Sequence, residues 1–103
     1  MIHKETKSTA ISKKVKDAVY LRDNGLCVIC KRPGIPNAHV VRRSQGGKGI
    51  EKNVVCLCPW CHRSFDEGRP EFRQHAYARI VAHLKGFYPD WNREDMIYKK
   101  GIL

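Results

Sequence analysis

A chain of 103 residues has the length of one small domain, with a hydrophobic core modest enough that a bound metal is expected to contribute to its stability. Twenty Lys and Arg against ten Asp and Glu leave a formal charge of +10, which selects a polyanionic partner such as nucleic acid and argues against an acidic one. Nothing approaches the run of roughly 20 apolar residues of a membrane span, and MIHKETKST lacks the apolar stretch and small-residue cleavage site of a secretory signal, so an intracellular protein is expected.

Residues 1–10 are polar and without an apolar period, and they are read as a flexible lead-in with no catalytic role, His3 included; a single domain is expected over 11–103. From Ser12 a helix is predicted. Ser12 caps it, Val15, Ala18, Val19 and Leu21–Arg22 form its stripe, and Asn24-Gly25 stops it. Cys27-Val28-Ile29-Cys30 reads as a tight turn and Lys31 to Pro36 as a loop. A strand is predicted between Ala38 and Arg43, on the β-favouring Val40 and Val41, and Gly46-Gly47-Lys48-Gly49 breaks it. Its return strand runs from Asn53 to Leu57, giving a β-hairpin with a long, basic, glycine-rich loop.

Cys58-Pro59-Trp60-Cys61 repeats the first cysteine turn, and Cys61 to Glu67 is predicted as a short helix closed by Gly68. Pro70 suits the first turn of another helix, in which Phe72, Ala76, Ile80 and Leu84 recur every four residues as a core face until Gly86. His75 and His83 lie on this helix and read as ordinary histidines. A weaker last helix is expected near Asn92 to Lys100, packed down by Trp91, Met96, Ile97 and Tyr98.

Four of the five cysteines form two Cys-x-x-Cys pairs, Cys27 with Cys30 and Cys58 with Cys61. In a reducing compartment such pairs bind metal more often than they form disulfides, and the two-residue gap lets a turn aim both sulfurs at one ion. The four are therefore read as a closed, tetrahedral structural zinc site. Cys56 sits in the apolar run of Val54, Val55 and Leu57 and reads as a packing residue, with ligation as a fallback. Chemistry is then expected between the pairs, on His39, Asn53 and His62. Asp66 follows His62 by four residues, so on a helix both side chains share a face on which they can clasp one cation; the plainer alternative is that Asp66 and Glu67 are solvated charges at a helix end.

The text AHVVRRSQGGKGIEKNVVCLCPWCHRSFDEG, residues 38–68, together with Cys27 and Cys30 upstream, resembles the HNH endonucleases of the ββα-metal nuclease superfamily. The resemblance implies an α+β fold, a small zinc-stabilised domain whose core over about 27–68 is a β-hairpin and a helix, with a helical flank over 70–100. It implies metal-dependent hydrolysis of DNA phosphodiester bonds that leaves 5′-phosphate and 3′-hydroxyl ends. His39 is then the general base, Asn53 holds the hairpin and orients that base, and His62, with Asp66, binds the catalytic divalent ion, Mg²⁺, Mn²⁺, Ni²⁺ or Zn²⁺. Carboxylate oxygen at Asp66, where family members often have histidine, suits the harder Mg²⁺ and Mn²⁺. Many members also have Asp or His directly before the catalytic histidine as a metal ligand, whereas this chain has Ala38. That leaves three alternatives: Asp66 with His62 and water suffices, Asn37 helps, or His39 is itself a ligand. Stand-alone members occur in bacteria and their phages, which implies the cytoplasm of a bacterial cell or of a phage-infected host.

The partner expected is double-stranded DNA, with no membrane and no evident small-molecule substrate. Lys31, Arg32, Arg42, Arg43, Lys48 and Lys52 stand against Glu51 alone around the proposed base. Of these, Arg42, Arg43, Lys48 and Lys52 are the candidate phosphate contacts, and the glycines of 45–49 would let backbone N–H groups approach the phosphates. Being adjacent on a predicted strand, Arg42 and Arg43 should point to opposite faces, with only one on the scissile phosphate. A second reading is a zinc-stapled DNA-binding or adaptor module that keeps the fold without cleavage, with Ala38 as its best support.

Overall fold

A computed structural model describes residues 8–99 of the chain. His3 and Lys100 lie outside the described residues, as do the first seven positions of the expected lead-in. Helix α1 spans Lys13–Arg22, strand β1 Ile35–His39, strand β2 Val54–Leu57, helix α2 Pro59–Glu67 and helix α3 Pro70–Phe87, with short 3-10 turns at Arg43–Gln45, Glu51–Asn53 and Arg93–Met96. Among the described residues this is an α+β arrangement: one two-stranded antiparallel hairpin with the three helices named, and a four-cysteine cluster able to hold a metal. No helix among the described residues is long and apolar enough to cross a membrane.

Helix α1 begins where Ser12 Oγ accepts the Val15 amide and ends where Asn24 and Gly25 both take positive φ, 57° and 65°, a turn that residues lacking a branched Cβ tolerate best. Of the predicted stripe, Val19 is fully buried, whereas Leu21 is 77% exposed and lies outside it. Strand alternation divides β2 between two cores. Val54 and Cys56 pack against Val19, while Val55 and Leu57 join the larger cluster with Ala38, Phe65, Ala76, Ile80 and Leu84. The predicted periodic face of α3 is the one buried, and the helix runs through Gly86. Burying each such aliphatic side chain stabilises the fold by about 1.5–3 kcal/mol.

The first strand lies upstream of its predicted span. It pairs as Ile35 with Leu57, Ala38 with Val55 and His39 with Val54, and between Ile35 and Ala38 it carries one residue more than its partner. Pro36 falls in that irregularity, where the missing N–H is tolerated. Val40 and Val41 leave the ladder because Asn53 replaces the second strand for them: its carbonyl accepts the Val40 amide and its Oδ1 accepts the Val41 amide, both at 2.9 Å. The predicted last helix is only the 3-10 turn Arg93–Met96, capped by Asn92 Oδ1. Chain beyond it pairs with the glycine loop instead, through a bridge of Gly47 with Ile97 and the Tyr98 amide on the Gly46 carbonyl.

Residues 8–10 are not a loose lead-in. Thr9 is buried, and the Ser8 carbonyl accepts the Gly49 amide at 2.9 Å. The glycine loop is likewise turned inward. The amides of Gly46, Gly47, Lys48 and Gly49 donate to the carbonyls of Arg43, Arg42, Met96 and Ser8, so they are not available to phosphates as the sequence reading expected. At Gly47 a Cβ would stand 1.7 Å from the Val41 carbonyl oxygen, so the glycine serves close packing of backbone on backbone.

Where α1 ends, Asp23 joins three elements. Its buried carboxylate accepts from Arg22 at 2.8 and 3.0 Å, from the Cys56 amide at 3.0 Å, and lies 2.7 Å from His83 Nε2 on α3. His83 is therefore a structural residue, and His75 is exposed. Burial alone would raise the Asp23 carboxyl, but the hydrogen bonds from His83, Arg22 and the Cys56 amide hold it at about 2 against an ordinary 3.8. Because folding favours the ionised form, stability of about 2 kcal/mol is fully present above pH 4 and is lost as pH falls towards 2. Asp23→Ala is expected to cost about 3–5 kcal/mol at neutral pH by stranding the Arg22 charge, and to remove this part of the acid dependence of the urea midpoint.

Candidate active site

Two cysteine turns meet at one point. Among the described residues Cys27, Cys30, Cys58 and Cys61 have their Sγ atoms all within 4.8 Å of one another, with Cys30 and Cys58 3.6 Å apart. Sulfurs at about 2.3 Å from a tetrahedral ion stand about 3.8 Å from each other, so the donor set is positioned to bind a metal. In each turn the second cysteine's amide lies over the first sulfur: Cys30 N is 3.5 Å from Cys27 Sγ and Cys61 N is 3.4 Å from Cys58 Sγ. Burial pushes the Cys27 thiol up, yet the amides of Cys30, Cys58 and Ile29 bring it down to about 7. Burial and the neighbouring thiols push Cys61 the other way. Four thiolates this close need a cation to coexist. Cys56 is apart from the cluster, fully buried against Val19, with burial raising its thiol to about 11.

The cluster joins β2 to α2. Cys58 is both a ligand-turn residue and the N-cap of α2, and Pro59 occupies the first helical position, so α2 starts two residues earlier than predicted. His62 thereby sits in the first turn, one turn before Asp66, and its Nε2 lies 3.3 Å from Asp66 Oδ2. Two atoms cis on an octahedral ion at about 2.1 Å are about 3.0 Å apart, so this pair fits two positions of such a shell. Among the described residues no second cluster of three or more His, Cys, Asp or Glu closes on one ion.

His62 and Asp66 line an open groove of about 720 Å³ together with His39, Asn37, Arg42, Arg43 and Lys16. The irregularity in β1 decides which residues reach it. Ala38 is fully buried in the core, and Asn37 and His39 on either side of it face the groove. His39 Nε2 lies 2.7 Å from the Thr9 carbonyl oxygen. A carbonyl only accepts, so Nε2 carries the proton and the lone pair of the neutral ring is on Nδ1. Burial lowers the His39 pKa from its ordinary 6.5, and the charges of Arg43 and His62 add to this against the Thr9 carbonyl and Asp66, which raise it.

Arg42 and Arg43 both line the groove, contrary to the expectation of opposite faces. The reason is that Arg42 follows the end of β1 and caps the 3-10 turn Arg43–Gln45, so strand alternation does not apply. Arg42 Nη2 donates to the Asp66 carbonyl at 2.6 Å, and Arg43 Nε lies 3.3 Å from Thr9 Oγ1. The other named residues are elsewhere. Asn53 is fully buried, its Oδ1 bound to the Val41 amide and its Nδ2 donating to the carbonyls of Val41 at 3.2 Å and Lys48 at 2.8 Å. Lys48 Nζ donates to the Asp95 carbonyl at 2.9 Å, and Lys52 Nζ lies 5.6 Å from the centre of the Tyr88 ring; neither lines the groove. Lys16 and the Thr9 carbonyl were missed by the sequence reading. A lysine on an exposed helix face and a backbone oxygen carry no sequence signal.

Residues 27–72, a little under half of the chain, match the family model described as HNH endonuclease. That span holds all four cysteines, both strands, α2 and the three residues His39, Asn53 and His62. No curated protein and no solved structure matches the chain.

Proposed function

We propose that this protein is a metal-dependent endonuclease that hydrolyses DNA phosphodiester bonds in the groove between α1, β1 and α2. The observation that carries the reading is that His39, with its free lone pair on Nδ1, lines the same groove as the His62 and Asp66 pair. The match of residues 27–72 to the HNH endonuclease model supports nuclease chemistry at the coarse level. Zinc is the ion assigned to the four cysteines, because a closed set of four thiolates suits it and leaves no open position for catalysis.

In this reading His39 Nδ1 takes a proton from water as the water oxygen bonds to phosphorus, and the bond to the 3′ oxygen breaks. The Thr9 carbonyl keeps the ring in the tautomer this requires. A divalent cation on His62 and Asp66 would offset charge on the phosphate and leaving oxygen. Arg43, Arg42 and Lys16 supply fixed positive charge along the groove for the flanking strand. Asn53 acts at a distance, by holding Val40 and Val41 so that the chain after His39 cannot peel away from β2.

Supercoiled plasmid incubated with the purified protein in EDTA, Mg²⁺, Mn²⁺ or Ni²⁺ tests the function. Nicked or linear product is expected with at least one divalent ion and none in EDTA. Binding without cleavage under every metal would instead establish the adaptor reading. On the groove face the place beside His39 belongs to Asn37, with Ala38 turned into the core.

A further inference from the structure

Beyond the catalytic groove, on the other side of Arg42, lies a second cavity of about 470 Å³. Three arginines line it, Arg42, Arg73 and Arg93, with Gln45, Gln74 and Tyr77, over an apolar floor that includes Phe65. No acidic side chain lines it. Arg73, Gln74 and Tyr77 come from the first half of α3, Arg93 from the 3-10 turn that follows, and Gln45 from the turn after β1. Arg93 Nη2 is 3.2 Å from Gln45 Oε1, a bond that ties the two turns together across the cavity. Arg73, Tyr77 and Arg93 fall outside the segment matched by the family model.

Three arginines lining one cavity with no carboxylate beside them favour an anion there; the planar fork of arginine and the amide donors of glutamine suit phosphate oxygens. Since Arg42 borders both cavities, an anion here would stand next to the one at His39. We propose that the Arg42, Arg73 and Arg93 cavity is a second phosphate subsite, which holds a backbone phosphate of the DNA flanking the bond to be cut. The identity of the anion rests on the nuclease reading; the existence of an anion site rests on the cavity. The subsite extends the footprint from the hairpin and α2 to the C-terminal helix and turn, and it gives affinity without reading sequence.

The test is binding of a fluorescent DNA duplex by fluorescence anisotropy without added divalent ion, over a series of salt concentrations. An Arg73→Gln/Arg93→Gln variant is compared with wild type and with Arg79→Gln/Lys85→Gln, which removes the same charge from other positions of α3. Loss of this phosphate contact is expected to weaken binding about tenfold and to reduce the slope of log K against log salt by about one. The Arg79/Lys85 variant should change little. Hydrolysis of bis(4-nitrophenyl) phosphate, too small to span both cavities, should be unchanged in the Arg73/Arg93 variant. If the double glutamine variant unfolds at lower temperature, Arg93→Gln alone, on an exposed side chain, should lower the slope by more than the Arg79/Lys85 control does. A slope change no larger than that of the Arg79/Lys85 control overturns the subsite. Wild type that hydrolyses neither plasmid nor the small diester overturns the nuclease reading alone, since the salt slope still decides whether the cavity binds phosphate.

Discussion

Cys58→Ser is expected to leave the chain unfolded at 25 °C, with no zinc retained after gel filtration and the far-ultraviolet helix signal lost. Cys58 has three tasks at once: it belongs to the metal cluster, it caps α2 through the Cys61 amide on its sulfur, and it ends the strand that carries Val54 to Leu57. A structural zinc contributes apparent binding free energies of about 10–16 kcal/mol. A domain of this size has a total stability of about 5–15 kcal/mol, so losing the ion exceeds what the cores can offset. Serine preserves the cap, since its oxygen can accept the same amide, and removes only the thiolate. A zinc-free, cooperatively folded Cys58→Ser protein would show that the cluster is dispensable. In the wild type one equivalent of tightly held zinc per chain is expected by elemental analysis, and a strong chelator should unfold it.

His39→Ala is expected to reduce plasmid cleavage by a factor of about 10² to 10⁴, the usual contribution of a positioned base, while duplex affinity stays within twofold of wild type. The side chain is not part of the cysteine cluster and, among the described residues, bonds the Thr9 carbonyl, so the variant should keep its zinc and fold. Because burial lowers the His39 pKa, the neutral, proton-accepting ring predominates at physiological pH. The acid limb of the wild-type rate profile should therefore fall below 6.5, the ordinary histidine value, and the rate should not rise further between pH 7 and 8 from this group. Equal cleavage by His39→Ala and wild type would remove His39 from the mechanism. His62→Ala should lose cleavage too, but with a changed preference among Mg²⁺, Mn²⁺ and Ni²⁺, since its nitrogen is the softer donor of the pair.

Legibility in the sequence followed how local each signal was. The cysteine turns, the cap at Ser12, the apolar period of α3 and the one-turn spacing of His62 and Asp66 depend on neighbours a few residues apart, and each is where those spacings put it. The register of β1 was not legible. Valines at 40 and 41 favour a strand, but Asn53, thirteen and twelve residues on, takes the place of the partner strand there through its carbonyl and its side chain. The same long-range tie moves Arg42 and Arg43 onto one groove. Residues 8–10 looked like free chain because the ties of Ser8 to Gly49 and of Thr9 to His39 run through backbone carbonyls, which any residue can offer. Lys48 and Lys52 look equivalent to the arginines in a charge count, yet the fold commits one to Asp95 and stacks the other near Tyr88.

The bond from His39 to the Thr9 carbonyl reaches outside the segment that the family match covers. A graft of residues 27–72 into another scaffold would transfer the imidazole but leave behind the oxygen that dictates which of its nitrogens is protonated. Such a transplant would hold a mixture of ring forms, some of them with a hydrogen on Nδ1 in place of an electron pair. Its sluggishness would trace to a segment that looks dispensable when the chain is read one residue at a time.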